Sequence, residues 1–156
     1  MASRLYIAAI FIIAAAFQSA NAASCPTGWQ AFGNSCYYFG TNFNGMTWYD
    51  GSAFCQAFRA HLVELNDQAE HDFVQNKVKA LSWSDGPWVG MVRVSPGTNW
   101  VLSSTRSSKS NDNSYNQRMD GLAKASSHDC GGFDRRGNIG FWRCRNGGSP
   151  ICEFEA

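Results

Sequence analysis

The sequence predicts an α+β domain with two helices and one mixed sheet. Two segments in the first half of the chain combine capping residues with a helical spacing of apolar residues. Short runs rich in aromatic and β-branched residues lie before and after them, which is typical of strands. Six cysteines add the expectation of a cross-linked fold.

Length and composition indicate a single folded domain. The chain has 156 residues, of which 44% are hydrophobic and 14% aromatic, which excludes a disordered protein. Lys and Arg number 13 against 12 Asp and Glu, so the net charge is +1. No overall field therefore attracts the chain to nucleic acid or to an anionic membrane.

Residues 1–22 predict a secretory signal peptide. Arg4 gives a positive start, residues 5–17 form an uncharged apolar run, and Ala20-Asn21-Ala22 has the small-x-small pattern of a cleavage site. An uncleaved anchor helix is the alternative, but the run is shorter than the about 20 residues that span a bilayer. We expect a secreted, extracellular chain without a membrane span, whose mature domain covers residues 23–156.

All six cysteines follow the expected cleavage site. In an exported chain this even number indicates three disulfides, but six cysteines allow 15 pairings and their spacing does not select one. A zinc site is disfavoured because no C-x-x-C pair exists and the histidines are scattered. The cysteines are Cys25, Cys36, Cys55, Cys130, Cys144 and Cys152.

The first helix is predicted from a capping box. Residues 29–39 come before it as an aromatic-rich hairpin that is broken by Gly33-Asn34. Thr47 and Asp50 then have the spacing of a capping box, in which each side chain binds a backbone amide of the other. Behind it, an apolar stripe at helical spacing consists of Ala53, Phe54, Ala57 and Phe58.

The second helix follows a short extended link at residues 61–65. Asn66 can cap it, and the acids that follow suit the positive end of the helix dipole. Val74, Val78 and Leu81 recur at i, i+4 and i+7, with Phe73 beside them. Gly86-Pro87 stops the pattern.

The second half of the chain predicts strands and one long loop. Residues 88–94 form a nearly continuous apolar run, which is typical of a strand in the buried centre of a sheet. Residues 103–116 are almost entirely polar and predict a long surface loop. Strand patterns return at residues 128–133, 139–144 and 151–154.

Several short motifs occur in order along the mature chain. They are Cys25-Pro26-Thr27-Gly28-Trp29, Cys36-Tyr37-Tyr38-Phe39, Trp48 with Ala53-Phe54-Cys55, Ala60-His61-Leu62-Val63-Glu64-Leu65, Trp88-Val89-Gly90-Met91, Cys130, Cys144 and Ile151-Cys152-Glu153-Phe154. Together they resemble a C-type lectin-like domain over the whole mature length. The resemblance implies a mixed sheet with two helices and a long irregular loop region. It also implies the pairs Cys25–Cys36, Cys55–Cys152 and Cys130–Cys144.

The calcium-dependent sugar site of this family is degraded here. Relatives that bind sugars supply oxygen ligands from an E-P-N or Q-P-D tripeptide, from an acid before the fourth motif cysteine and from a W-N-D tripeptide before the fifth. The W-N-D position holds Ile139-Gly140-Phe141, and the E-P-N position holds Asp120-Gly121-Leu122. No proline lies between Pro96 and Pro150, so no shift of register restores the tripeptide.

Two loop acids, Asp120 and Asp129, remain near the expected calcium position. Ca²⁺ requires 6–8 oxygen ligands, so two carboxylates make a poor site. We therefore expect no metal and no other cofactor at the usual site. The alternative role for both acids is hydrogen bonding to loop amides. A calcium site elsewhere, involving Glu64 or Glu153, remains an open alternative.

A basic and aromatic segment is the candidate replacement for calcium. Residues 133–145 contain three aromatic residues and four arginines, which are Arg135, Arg136, Arg143 and Arg145. Guanidinium groups match carboxylates, sulfates and phosphates, and aromatic faces stack on sugars. Arg106 and Lys109 are further candidates on the long loop. The alternative is a solvated basic loop around a buried Trp142.

Enzymatic activity is not expected. The three histidines, His61, His71 and His128, have no nucleophile motif beside them. His61 is expected to be structural, and His71 is expected to face outward from the second helix. The resemblance implies a secreted lectin-like module of innate immunity that binds carbohydrate or an anionic microbial-surface ligand. The alternative is an interaction scaffold for a protein partner or for a mineral or ice surface. The oligomeric state is not predicted.

Overall fold

The computed structural model describes residues 24–93, 100–104 and 130–156. The predicted signal peptide at residues 1–22 lies outside these ranges. So do four of the site candidates, which are Arg106, Lys109, Asp120 and Asp129. None of the helices within the described ranges is long and apolar enough to cross a membrane.

The described residues form two helices and an eight-stranded sheet. The elements are β1 (Gln30–Phe32), β2 (Ser35–Phe39), α1 (Trp48–Ala57), β3 (His61–Leu62), α2 (Gln68–Ala80), β4 (Pro87–Arg93), β5 (Trp100–Leu102), β6 (Cys130–Phe133), β7 (Ile139–Trp142) and β8 (Ser149–Glu155). The strand order is β1-β2-β8-β4-β6-β7, with β3 beside β8 and β5 beside β4. Because β4 and β8 are parallel and the other pairs antiparallel, the predicted α+β fold with a mixed sheet is confirmed.

Helix α1 begins with the predicted capping box. The Thr47 hydroxyl accepts the Asp50 N–H at 3.2 Å, and the Asp50 carboxylate accepts the Thr47 N–H at 3.2 Å. The buried residues of the helix are Trp48, Gly51 and Cys55.

The apolar stripe of α1 is not the buried face of the helix. Ala53, Ala57 and Phe58 are exposed, and Phe54 is half-buried. Two attachments turn the other side of the helix toward the sheet: the disulfide from Cys55 to β8, and the Trp48 indole N–H, which donates to the Val89 carbonyl at 2.8 Å. Aromatic residues therefore remain on the outer surface of this helix.

Helix α2 is capped one residue later than predicted. The Asp67 carboxylate accepts the Glu70 N–H at 2.9 Å, so Asp67 is the N-cap residue. Asn66 instead donates its side-chain amide to the Glu64 carbonyl at 2.7 Å. Val74 and Val78 are fully buried, as their spacing predicts.

The prediction that His71 faces outward is wrong. Its side chain is only 8% exposed, and its ring lies 5.6 Å from that of Phe133. His71 precedes Val74 by three residues and Val78 by seven, so the helical period places all three on one face. The acids beside it in the sequence lie on other sides of the helix.

Strand β4 lies between β8 and β6 and separates two hydrophobic clusters, as predicted for a central strand. Because side chains alternate along a strand, Trp88 and Val92 face one cluster while Val89 and Met91 face the other. The Trp88 side also contains Trp48 and Trp142.

The structure contains three disulfides with the pairing that the resemblance implies. Cys25–Cys36 ties the start of the domain to β2, Cys55–Cys152 joins α1 to β8, and Cys130–Cys144 braces the β6–β7 hairpin. Their Cα atoms are 5.6, 5.3 and 5.1 Å apart. Cys55–Cys152 closes a separation of 97 residues and so constrains the unfolded chain most.

Candidate functional site

A cleft of about 180 Å³ opens on the Trp88 side of the sheet. It lies between the start of β4, the β6–β7 hairpin and the turn that leads into β8. Trp88, Gly132 and Trp142 contribute its apolar wall, and Arg135 and Asn146 contribute its polar rim. The cleft therefore combines aromatic surface with a guanidinium and an amide.

Two glycines create the space for the Trp142 ring. Gly132 in β6 pairs with Gly140 in β7. A Cβ atom built on Gly140 would lie 3.1 Å from Trp142 Cη2, and 3.4 and 3.5 Å from the two neighbouring ring carbons. Such similar distances place that Cβ over the face of the ring rather than at its edge. The indole therefore lies flat on the hairpin, and its opposite face points away from the strands.

The same glycine pair brings the second indole close to the hairpin. A Cβ atom on Gly132 would lie 3.3 Å from Trp88 Cε3 and 3.5 Å from Trp142 Cε3. It would also lie 2.8 Å from the Pro87 carbonyl oxygen. Any side chain at Gly132 would fill the base of the cleft.

Asp134 fixes the turn that carries Arg135. Its Oδ1 atom accepts the N–H groups of Arg136 and Asn138 at 2.8 and 2.9 Å, and its Oδ2 atom accepts the Asn138 side-chain amide at 2.8 Å. Gly137 completes the turn with a φ of 81°. Burial acts to raise the pKa of Asp134, but the hydrogen bonds from Asn138 and Arg136 and the Arg136 charge outweigh it, so the pKa is lowered. The Asp134 carboxylate is therefore ionised and occupied by the turn.

The four predicted arginines do not converge on one site. Arg135 lines the cleft together with Trp142. Arg136 borders a separate shallow depression with Asp134 and Arg135. Arg143 and Arg145 are exposed beyond the end of β7 and do not line the cleft.

Trp142 is neither fully buried nor fully exposed. Sequence reasoning did not identify Trp88, Gly132 or Asn146 as site residues. The signal that identifies this cleft is a pair of glycines, Gly132 and Gly140, that lie opposite each other in a hairpin. Trp142 follows the second glycine by two residues.

Phe141, which is predicted from the sequence to stand where sugar-binding relatives carry the W-N-D aspartate, packs against Arg93. The centre of its ring lies 5.9 Å from the guanidinium carbon of Arg93. Both side chains are buried, with exposures of 8% and 5%.

Glu70 and Glu153 form a second polar cluster, which is buried below Tyr37. The Tyr37 hydroxyl donates to Glu70 Oε1 at 2.7 Å and lies 3.4 Å from Glu153 Oε1. Burial, followed by the negative charge of Glu153, raises the pKa of Glu70 to about 7. Burial, together with the hydrogen bond to Glu70, also raises the pKa of Tyr37.

Glu64 is directed to other partners. Its carboxylate accepts the Ser104 N–H at 2.7 Å, the Ser104 hydroxyl at 2.8 Å and the Ser103 hydroxyl at 3.2 Å. Within the described ranges, no group of three or more His, Cys, Asp and Glu side chains is arranged to hold a metal ion.

Comparison with known proteins identifies the family. The family model "Lectin C-type domain" matches residues 44–154. Among curated relatives, Lithostathine-1-beta of Homo sapiens is 32% identical over 139 residues, covering 85% of this chain and 79% of the relative. Asialoglycoprotein receptor 2 of Mus musculus is 38% identical over 85 residues, or 54% of this chain, which span 26% of the receptor. Type-2 ice-structuring protein of Hemitripterus americanus is 35% identical over 63 residues, covering 40% of this chain and 37% of the relative.

Solved structures share the same fold. The human scavenger receptor C-type lectin carbohydrate-recognition domain superposes with a TM-score of 0.65 at 23% identity, covering 85% of this chain and 100% of that chain. Human lithostathine superposes with a TM-score of 0.66 at 23% identity, covering 85% of this chain and 92% of that chain. The family model matches most of the chain, and the fold is shared with solved C-type lectin domains. The chain therefore belongs to the C-type lectin domain family.

Proposed function

We propose that this chain is a secreted, non-enzymatic recognition module that binds carbohydrate on microbial surfaces without Ca²⁺. The observation that carries the proposal is the cleft that Trp142 lines together with Arg135 and Asn146. Aromatic faces pack on the C–H faces of sugar rings, and amide and guanidinium groups bind their oxygens.

The proposed independence from Ca²⁺ is supported by the surroundings of Phe141. Its position in the sequence is where sugar-binding relatives carry an aspartate, and here the ring covers the buried guanidinium of Arg93. The two loop acids Asp120 and Asp129 are too few to hold the ion by themselves. In this proposal the cleft replaces the metal as the sugar-binding element.

Secretion is supported by the signal-peptide pattern at residues 1–22 and by the disulfides of the domain at residues 23–156. Disulfides persist in oxidising compartments and are rare in the cytosol. A secreted module that binds microbial saccharides would act in innate immunity. The family fold and the absence of a nucleophile motif beside the histidines support a role in binding rather than in catalysis.

A glycan array tests this function directly. The mature chain is applied once with EDTA and once with Ca²⁺ at the same pH and ionic strength. We expect the same saccharides to be bound in both conditions. Binding that requires Ca²⁺ would contradict the metal-independent mechanism, and an array without any bound saccharide would contradict the carbohydrate function.

An interaction scaffold is the second candidate, and the outer surface of α1 favours it. Phe58 is 54% exposed, and its ring lies 5.2 Å from Phe54 and 6.4 Å from Trp29. The contiguous apolar surface of Phe58, Phe54 and Trp29 is of a kind typical of interaction sites, and one relative is named an ice-structuring protein. Loss of partner or ice binding in Phe58→Ser, with saccharide binding absent in the parent, would favour the scaffold.

A further inference from the structure

We infer that the cleft selects a single pyranose ring carrying an anionic substituent, with the ring on Trp142 and the anion on Arg135. The inference rests on the proposed carbohydrate function and adds the chemical class of the ligand. It also reduces the four candidate arginines to one that contacts the ligand.

The size of the cleft limits the ligand to one small group. Its volume of about 180 Å³ is below the about 300–1,000 Å³ that is typical of pockets for drug-sized molecules. One sugar ring suits this volume better than an extended oligosaccharide does. Further residues of a chain would lie outside the cleft, over the exposed β6–β7 turn.

The Trp142 ring favours a ligand that has a flat apolar face. One face of its indole lies over Gly140, and the ring also lines the cleft, so a ligand in the cleft meets indole surface. A pyranose presents C–H groups on one face and can pack there. The Asn146 amide on the rim can then donate to and accept from ring hydroxyls.

Charge on the rim selects an anion. Among the described residues, the ionisable side chains that line the cleft are Asp134 and Arg135. Both oxygens of Asp134 accept hydrogen bonds within the turn, so they are occupied. Arg135 is exposed, and its planar guanidinium can bind a carboxylate or sulfate through two parallel hydrogen bonds. The guanidinium of Arg135 is therefore the group that meets the ligand anion.

The test compares matched saccharides in EDTA by isothermal titration calorimetry. The probes are tetragalacturonate, its methyl ester, which removes the charge, and a galactose 6-sulfate, which separates sulfate from carboxylate recognition. We expect the acid or the sulfate to bind at least about tenfold more tightly than the ester, because the ester lacks the negative charge that pairs with the guanidinium. Arg135→Gln should remove this preference, with an unchanged melting temperature.

Control variants separate this inference from the proposed function. Arg59→Gln removes one exposed positive charge after α1, outside the cleft, and should leave all affinities within about twofold. Asn146→Ala should weaken the acidic and the neutral ligand equally. One outcome would overturn the anion preference: the acid and the ester bind equally, and Arg135→Gln does not change their affinities. If Asn146→Ala weakens both ligands in that case, the carbohydrate function is retained. Binding of none of the probes by the folded chain would overturn the inference, and an array without bound saccharides would overturn the function as well.

Discussion

The guanidinium carbon of Arg93 lies 5.9 Å from the centre of the Phe141 ring. Arg93 belongs to β4 and Phe141 to β7, and both are buried. Phe141 is the residue predicted from the sequence to replace an acidic calcium ligand of sugar-binding relatives. Its ring packs on the Arg93 cation, and this pairing contributes to the core.

Phe141→Ala should therefore reduce stability without altering any response to Ca²⁺. Truncating a buried phenylalanine removes apolar contacts and leaves a cavity, which costs about 3–5 kcal/mol. Denaturant unfolding of parent and variant, in Ca²⁺ and in EDTA, measures both effects. Phe58→Ala is the matched control, because Phe58 is 54% exposed and its truncation should cost far less. Equal costs for the two variants would contradict the packing described for Phe141.

The Glu70 carboxyl should make the fold less stable as pH rises. Its pKa in the folded state is about 7, above the ordinary value of 4.5 for a glutamate side chain. Between these values the folded chain binds more protons than the unfolded chain, so the free energy of unfolding falls from pH 5 to pH 7. The contribution of this group is at most about 3 kcal/mol.

Glu70→Gln isolates this effect, because glutamine resembles the protonated acid and keeps an acceptor for the Asn66 N–H. Chemical unfolding at several pH values should show a smaller decrease for the variant than for the parent. A variant with the same pH dependence as the parent would show that the Glu70 pKa is not raised.

The disulfide from α1 to β8 should contribute more stability than the N-terminal one. Loop-closure entropy predicts a loss of about 5 kcal/mol for Cys55→Ser with Cys152→Ser, and about 3 kcal/mol for Cys25→Ser with Cys36→Ser, because the bridged separations are 97 and 11 residues. We expect the first pair of substitutions to prevent secretion of folded protein. Yield and melting temperature of the two double variants provide the measurement, and the reverse order would contradict this assignment of stability.

Two glycines should respond to alanine in opposite directions. At Gly132 a Cβ would lie 2.8 Å from the Pro87 carbonyl oxygen, so Gly132→Ala should cost about 1–3 kcal/mol and fill the base of the cleft. At Gly51, inside α1, the nearest atom to an added Cβ is 3.6 Å away. Gly51→Ala should therefore stabilise the helix by about 0.5–1 kcal/mol. Thermal unfolding of both variants checks the signs, and a neutral Gly132→Ala would mean that the cleft base is more open than described.

Local chemistry in the sequence was sufficient to predict several elements. Thr47 and Asp50 form their capping box because both partners lie within one turn of the helix. The apolar run that becomes β4 has apolar side chains on both faces of the strand, so both faces must be buried. In each case the determining interactions are close in sequence or depend only on hydrophobicity.

Features set by distant contacts could not be predicted in the same way. The face that α1 turns inward depends on where Cys152 and Val89 lie, and neither position is encoded near the helix. The outward orientation predicted for the His71 side chain is wrong, although its spacing to Val74 in the sequence already places it on the buried face. The cleft depends on register, because Gly132 must pair with Gly140 before the Trp142 ring can lie across them.

The most direct test of metal-independent recognition is calorimetry with the saccharide that the mature chain binds most tightly on the array. The titration is performed in millimolar Ca²⁺ and again in EDTA, and repeated with Arg135→Gln. Our account predicts the same Kd in both buffers and a weaker Kd in the variant. A Kd that is measurable only with Ca²⁺, and that is unchanged in Arg135→Gln, would contradict it.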